Sequence, residues 1–200
     1  MDKNPVNSRK IPTIFSTKNT YRKEIFKRIE GLDWLTISAQ INQRLQDYFL
    51  NQSRLIIAGF NQCRGEPDIS PFLHFWHQQG GICCLPVVTS SSQPLIFRVW
   101  DFEKPLIKGV YNILIPAETE PEVIPDVILT PLIAFDQHGT RLGKGAGYYD
   151  STLKSLRMKS KKPLVIGIAA HQQFIKVLEK EPHDEPLDMV VTDKEIIRFE

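Results

Sequence analysis

The sequence predicts an α/β fold, a single three-layer domain with a mostly parallel central sheet flanked by helices on both faces. Short apolar runs bounded by turn residues, such as residues 54–60 and 163–169, are typical of buried strands. Segments with apolar residues at helical spacing lie between these runs. Strands that alternate with helices indicate an α/β domain, and 200 residues are enough for one sizeable core.

The composition indicates a soluble globular protein and argues against several classes of partner. Apolar residues make up 42% and charged residues 24% of the chain, and the formal net charge is +2. This near-neutral charge gives no reason to expect nucleic acid as a partner. No apolar run approaches the roughly 20 residues of a membrane span. We therefore expect a monomer that acts on small molecules without a nucleic-acid or membrane partner.

The three cysteines indicate a reducing compartment. Cys63, Cys83 and Cys84 are odd in number and do not have the spacing of a zinc site. The first residues lack the apolar central stretch of a secretory signal. Disulfides are rare in the cytoplasm, so these features together predict a cytoplasmic protein.

The first part of the chain divides into a polar extension and two helices. Residues 1–15 are polar and predict an N-terminal extension, followed by one domain over residues 16–200. Apolar residues at helical spacing predict a first helix from Ser16 that ends at Gly31. A similar pattern predicts a second helix over residues 36–51.

The middle of the chain supplies a third helix and two strands. Ser70 and Pro71 are favourable at a helix start, and Gly80 with Gly81 is favourable at its end. Residues 82–88 and 95–100 then predict two strands, separated by a serine-rich turn.

The most informative stretch is residues 129–153. An apolar strand ends near Thr130, a polar turn follows at residues 136–139, and a glycine-rich loop occupies residues 141–147 before a helix that begins at Tyr148. Glycines allow backbone N–H groups to approach an anion, and a helix N-terminus adds partial positive charge. The loop therefore predicts a phosphate-binding site.

The spacing of these glycines alone leaves other interpretations open. It matches neither G-x-x-x-x-G-K-[ST] nor G-x-G-x-x-G, so an ordinary glycine turn remains an alternative. Lys18 and Arg22 lie four residues apart on one helix face, and solvated basic faces have the same pattern. Glu66, Asp150 and Asp188 could likewise be ordinary surface, helix-start and turn carboxylates.

The exact string favours the functional interpretation. The pattern D-x-x-G-x-R-L-G-x-G-x-G-Y-Y-D at residues 136–150 resembles the signature of the 5-formyltetrahydrofolate cyclo-ligase family, whose members are also called methenyltetrahydrofolate synthetases. Residues 182–193 are similar to the family's C-terminal H-D-x-P-x-D-x-V-V-T segment. The resemblance spans about residues 18–192. The chain departs from the family pattern at four positions: Asn112, Ile115, Ala146 and Ala170.

The resemblance implies an ATP-dependent reaction with magnesium. The formyl oxygen of 5-formyltetrahydrofolate would attack the γ-phosphate of ATP. A neighbouring folate nitrogen would then close the ring and give 5,10-methenyltetrahydrofolate, ADP and phosphate. Such phosphoryl transfer requires positioning and charge neutralisation more than covalent help from the protein.

The resemblance also implies roles for particular residues. Arg141 and Lys144 are the expected catalytic residues, and Asp150 and Asp188 the expected magnesium ligands. Asn61, Glu66 and Tyr149 are expected to bind the folate. The expected ATP-binding residues are Lys18, Arg22, Arg141, Leu142, Gly143, Lys144, Gly145, Ala146, Gly147, Tyr148 and Tyr149.

Two other functions remain as alternatives. The departures from the family pattern are compatible with a non-catalytic folate- or nucleotide-binding module on the same fold. A protein that binds RNA or another nucleotide through the glycine loop is the third possibility. The near-neutral charge and the absence of a basic stripe with aromatic residues argue against it.

Overall fold

The structure is a computed structural model that describes residues 14–52, 54–91, 93–159 and 162–199. Most of the predicted extension, residues 1–13, lies outside the described residues. The first helix is described from Ile14, so the helical part of the chain reaches two residues into the segment expected to be an extension.

The described residues form four α-helices and eleven strands. The helices are α1 (Ile14–Arg28), α2 (Trp34–Phe49), α3 (Ser70–Gln78) and α4 (Tyr148–Arg157). The first six strands are β1 (Ile56–Ala58), β2 (Ile82–Val87), β3 (Ile96–Val99), β4 (Ile107–Lys108), β5 (Leu114–Ile115) and β6 (Val127–Pro131). The remaining five are β7 (Ala134–Phe135), β8 (Arg141–Leu142), β9 (Leu164–Ile168), β10 (Met189–Val191) and β11 (Ile196–Arg198).

Seven strands form the central sheet, in the order β11-β10-β9-β6-β1-β2-β3. The five inner strands run parallel to one another, and the edge strands β3 and β11 pair antiparallel with their neighbours. The hairpins β4–β5 and β7–β8 form two small separate sheets. The prediction of a mostly parallel sheet is confirmed.

Helices cover both faces of the sheet. On one face, Ile41 and Phe49 of α2 and Trp76 of α3 pack against strand residues that include Ile57 and Ile166. On the other face, Leu153 and Leu156 of α4 pack against strand residues of the opposite pleat. The three-layer architecture is therefore also confirmed. Cys83 and Cys84 of β2 are both buried.

Helix α1 belongs to neither layer and lies at the carboxyl edge of the sheet. Its Ile25 and Ile29 pack against Ile133, Ala134 and Leu142, around the β7–β8 hairpin. Because parallel strands direct their following loops to the same edge, α1 and the loops after β1, β2 and β6 surround the region where open α/β sheets bind ligands.

The β7–β8 hairpin was not predicted from the sequence. It occupies the part of residues 129–153 where we expected one polar turn. Asp136 stabilises its turn, because the buried carboxylate accepts hydrogen bonds from the backbone N–H groups of His138, Thr140 and Leu178. Strands of two residues are too short for an alternating pattern to be recognised. Within the described ranges, no helix is both long and apolar enough to cross a membrane.

Candidate active site

A cavity of about 850 Å³ opens at the carboxyl edge of the sheet. One end is formed by α1, the glycine turn (residues 143–147) and residues 181–184, and carries most of the charge. The other end is apolar and includes Phe60, Leu132 and Ile113. The cavity therefore offers an anion-binding region beside a region suited to a flat ring.

The glycine turn lies between two guanidinium groups. Arg22 Nε donates a hydrogen bond to the carbonyl of Gly143 at 3.0 Å. A Cβ on Gly145 would lie 3.3 Å from Arg22 Nη2, and one on Gly143 would lie 2.8 Å from Arg141 Nη1. A side chain at either position would therefore have to displace the end of an arginine side chain.

The same turn leads directly into α4. Gly147 is the N-cap, with φ of 71°, and in the described part of the chain no side chain caps the helix. The first N–H groups of α4 therefore have no side-chain acceptor at the cap. Such N–H groups at the N-terminus of a helix favour an anion.

Arg141 is the most enclosed cation of the cavity. Its side chain is 3% exposed and donates to Asp150 at 2.8 Å. The guanidinium lies 5.5 Å from the ring centre of Tyr149, and its buried Nε has no partner among the described residues. Burial and the nearby charge of Glu66 raise the pKa of Tyr149, although Arg141 opposes this shift, so the phenol stays neutral at physiological pH.

The two ammonium groups of the cavity, those of Lys18 and Lys144, contact carboxylates. Lys18 Nζ contacts Glu181 at 2.8 Å and Asp184 at 2.7 Å. Burial lowers the pKa of Lys18, but the hydrogen bonds to Asp184 and Glu181 outweigh this and raise it overall. Lys144 Nζ lies 2.6 Å from Glu66 Oε1. Arg141, Lys18 and Lys144 are thus each paired with a carboxylate of the cavity.

Glu66 and Asn61 lie in the loop that follows β1. The side chain of Glu66 is only 5% exposed, and its Oε2 accepts a hydrogen bond from the N–H of Cys63 at 2.9 Å. Gly65 has φ of 80°, which allows the tight turn that directs Glu66 inward. Asn61 lines the cavity and donates its amide N–H to the carbonyl of Leu114.

The β4–β5 hairpin lines the apolar end of the cavity. Its turn residues Tyr111 and Asn112 both have φ of 58°, and the hydroxyl oxygens of Tyr111 and Tyr148 are 3.3 Å apart. Ile107, Val110, Tyr111 and Leu114 are all large apolar residues that are substantially exposed. Tyr111 was missed from the sequence, and its only signal was its place beside Asn112, one of the four departures from the family pattern.

The structure places the two predicted metal ligands at opposite edges of the sheet. Asp150 lines the cavity, whereas Asp188 does not. Asp188 Oδ2 accepts a hydrogen bond from the N–H of Val165, near the start of β9, so it lies at the amino edge. The pairing of Asp150 with Asp188 is therefore wrong in geometry, because two residues at different edges cannot share one ion.

Two other carboxylates line the same cavity as Asp150. Glu181 and Asp184 line the cavity, and their oxygens and a ring nitrogen of His183 all lie within 4.8 Å of one another. Both carboxylates were missed as site residues, although Asp184 lies in the same family motif as Asp188. The other predicted site residues, from Lys18 and Arg22 through Asn61 and Glu66 to residues 141–150, all line this one cavity.

The fold and the cavity define an α/β protein with an anion-binding turn at the carboxyl edge of its sheet. Residues 16–193 match the model of the 5-formyltetrahydrofolate cyclo-ligase family. The chain belongs to this family, as its resemblance in sequence predicted.

Relatives of known name agree with this assignment. The 5-formyltetrahydrofolate cyclo-ligase of Escherichia coli K12 is 33% identical over 145 residues, which cover 70% of this chain and 79% of the relative. The Saccharomyces cerevisiae cyclo-ligase is 27% identical over 203 residues, covering 88% and 95%.

Solved structures have the same fold. The 5,10-methenyltetrahydrofolate synthetase of Aquifex aeolicus gives a TM-score of 0.76 at 28% identity, over 90% of this chain and 92% of that protein. The synthetase of Mycoplasma pneumoniae gives 0.69 at 25% identity, over 88% and 98%. The predicted class of enzyme, a cyclo-ligase, is confirmed.

Proposed function

We propose that this chain catalyses the ATP-dependent cyclisation of 5-formyltetrahydrofolate to 5,10-methenyltetrahydrofolate. The observation that carries the proposal is the contact between Lys144 and Glu66. It joins the anion-binding turn to a buried carboxylate inside one cavity. A phosphate donor and a ring with N–H groups can therefore bind side by side.

The charged end of the cavity binds the triphosphate. Arg141 is already fixed by Asp150 and offers a planar group that suits phosphate oxygens. Lys144 supplies a point charge from the turn itself, and Lys18 and Arg22 supply two more from α1. The backbone N–H groups of residues 143–147 and of the first turn of α4 complete the site.

The apolar end binds the pterin. Glu66 accepts hydrogen bonds from N–H groups of the ring, while Phe60, Leu132 and Tyr149 supply apolar surface. Asn61 helps indirectly, because its hydrogen bond to Leu114 holds the β4–β5 hairpin against the cavity. The formyl group then lies towards the glycine turn.

The reaction proceeds in two steps. The formyl oxygen attacks the γ-phosphorus, the bond to the bridging oxygen breaks, and ADP leaves with that electron pair. The neighbouring folate nitrogen, which is not yet part of the new ring, then attacks the activated carbon. The carbon–oxygen bond breaks, phosphate leaves with its oxygen, and the nitrogen loses its proton to water. Arg141 and Lys144 neutralise the charge on the transferred oxygens.

Magnesium fits the carboxylates of Glu181 and Asp184, and Asp150 lines the same cavity. The ammonium of Lys18 lies 2.8 Å from Glu181 and 2.7 Å from Asp184, which supports a cation site at these carboxylates. Their oxygens are the hard ligands that Mg²⁺ prefers. When bound, the ion would neutralise charge on the phosphates.

The activity is tested by mixing the protein with ATP, magnesium and 5-formyltetrahydrofolate. We expect the absorbance band of the methenyl product to appear, with one ADP and one phosphate formed for each product. Omission of any of the three components should abolish the signal. Binding of both ligands without product would instead identify a non-catalytic module.

We also propose that the protein acts as a monomer in the cytoplasm, without nucleic acid or membrane. A single chain supplies all the residues named above for the cavity. Sedimentation of the active protein checks this, and an activity that rises with self-association would contradict it.

A further inference from the structure

The ion pair between Lys144 and Glu66 connects the two ends of the cavity. Lys144 lies in the glycine turn and is 48% exposed, whereas the side chain of Glu66 is 5% exposed. Their charged atoms are 2.6 Å apart. Without nucleotide and pterin, the ammonium of Lys144 and the carboxylate of Glu66 are therefore paired with each other.

This arrangement has a consequence for nucleotide binding. If Lys144 moves to a phosphate, Glu66 keeps its hydrogen bond from the N–H of Cys63 but loses its counter-charge. A buried carboxylate without a counter-charge is unfavourable. Nucleotide binding alone is therefore opposed by the cost of leaving Glu66 unpaired.

A pterin removes this cost. Its ring N–H and the adjacent amino group can both donate to one carboxylate, in the way that paired donors usually bind carboxylates. Once Glu66 accepts these hydrogen bonds, Lys144 is free to bind a phosphate. The reverse also holds, because a nucleotide that binds Lys144 leaves Glu66 available to the pterin.

We propose that the Lys144–Glu66 ion pair couples the binding of the two substrates, so that each one binds more tightly when the other is present. This inference rests on the proposed function. It differs from a simple substrate contact, in which Glu66 would bind the pterin without any effect on the nucleotide.

The first experiment measures the coupling in the unaltered protein. The magnesium complex of β,γ-methylene-ATP, which cannot transfer its phosphate, is titrated by calorimetry with and without 5-formyltetrahydrofolate. We expect the folate to tighten nucleotide binding by about fivefold or more, in the range of ordinary allosteric coupling. The nucleotide must tighten folate binding by the same factor. Equal affinities with and without the second ligand would overturn the inference.

The second experiment uses Glu66→Gln. The ion pair is lost, so Lys144 is free, and we expect the nucleotide alone to bind about as tightly as it binds the unaltered protein in the presence of folate. Adding folate should then increase the affinity of this variant for the nucleotide only slightly. A simple pterin contact predicts a different result, namely weaker folate binding with unchanged affinity for the nucleotide alone.

Glu120→Gln is the matched control. Glu120 is also a buried carboxylate that contacts a largely exposed lysine, Lys104, at 3.0 Å, and it does not line the cavity. Its loss should leave the coupling unchanged. A similar change in both variants would show a general effect on stability and contradict the inference.

Lys144→Met gives a second measurement that does not depend on the folding of the Glu66 variant. Lys144 is half exposed, so its removal leaves no cavity in the core. We expect the coupling factor to fall to about one, and a retained fivefold coupling would overturn the inference. The turnover assay tests the proposed function independently of this coupling, because that function is contradicted if the unaltered protein gives no methenyl product.

Discussion

At the scale of single residues, the cations of the cavity differ in how firmly they are held. Arg141 is buried and fixed by Asp150, whereas Lys18 and Lys144 form ion pairs that a ligand can replace. A group that is already oriented loses little freedom when the charge of the transition state develops. Arg141 should therefore contribute more to turnover than to substrate affinity.

Arg141→Lys tests this difference. The ammonium keeps the charge but cannot contact Asp150 and a phosphate through one planar fork. We expect kcat to fall roughly 10²- to 10³-fold, with a smaller change in KM. Steady-state kinetics measures both values.

Arg98→Lys is the control for the loss of a buried guanidinium. Arg98 is 11% exposed, contacts Glu122 at 3.6 Å, and has a buried Nε without a partner, as Arg141 does. It does not line the cavity. A comparable loss of kcat in both variants would contradict a specific role for Arg141.

The carboxylates give a second prediction at this scale. Asp184→Asn should raise the magnesium concentration required for half-maximal turnover roughly tenfold or more, because a ligand of the ion is lost. Asp188→Asn should leave that concentration unchanged. It should instead lower thermal stability, since Asp188 accepts the hydrogen bond from Val165. A magnesium effect confined to the Asp188 variant would restore the prediction made from the sequence.

At the scale of elements, the glycine turn combines two demands on its backbone. Gly145 has φ of 107°, a backbone angle that residues other than glycine rarely adopt, and Arg22 lies close to it. The turn is therefore specified both by its conformation and by the space that the arginine requires.

Gly145→Ala separates these demands when it is compared with Gly80→Ala. Gly80 has φ of 80° and no atom within 4 Å of the position of a Cβ, and it lies outside the cavity. Both variants should lose about 1–2 kcal/mol of stability through the positive φ. Only the Gly145 variant should also lose nucleotide affinity, as calorimetry would show. Equal nucleotide affinities in the two variants would argue against a phosphate site at the turn.

The elements also show how far the sequence could predict this site. The turn and α4 were predicted, because glycines and a helix start are local signals. Asp184 and Glu181 were not, since nothing local shows which of several carboxylates in one segment faces a cavity. Asn112 is one of the four departures from the family pattern. Its φ is positive, and asparagine tolerates this conformation better than most residues.

At the scale of the whole molecule, the alternation of strands and helices was sufficient to predict the architecture. This alternation did not predict the strand order or the two small hairpins, because they depend on contacts between residues distant in sequence. The family resemblance pointed to most of the residues that line the cavity, but it wrongly included Asp188 and missed Glu181 and Asp184. It could not predict that Lys18 and Lys144 are paired with carboxylates there.

Global stability should depend on alkaline pH through the buried thiols. Burial raises the pKa of Cys83 from 9.0 to about 12, and burial also raises the pKa of Cys84. Because the pKa of the thiol is raised in the folded state, its contribution to stability is fully present below pH 9 and is lost as the pH rises towards 12. Each thiol should lower the free energy of unfolding by about 1.4 kcal/mol per pH unit in this window.

Urea unfolding at a series of pH values above neutrality measures this loss. The variant with Cys83→Ala and Cys84→Ala should be less stable at neutral pH, because two buried side chains are shortened, but its stability should fall less steeply above pH 9. Lys18 contributes in the same direction only above its ordinary value of 10.5, since its pKa is also raised. Parallel curves for the two proteins would exclude the thiols as the cause.

The contact of Lys18 with Glu181 and Asp184 joins the first described helix to a segment near the end of the chain. During synthesis, a ribosome must therefore release the 163 residues that separate Lys18 from Glu181 before this end of the cavity can form. Truncated products that stop before Glu181 would lack this end of the pocket. Such truncated chains should consequently consume no reduced folate.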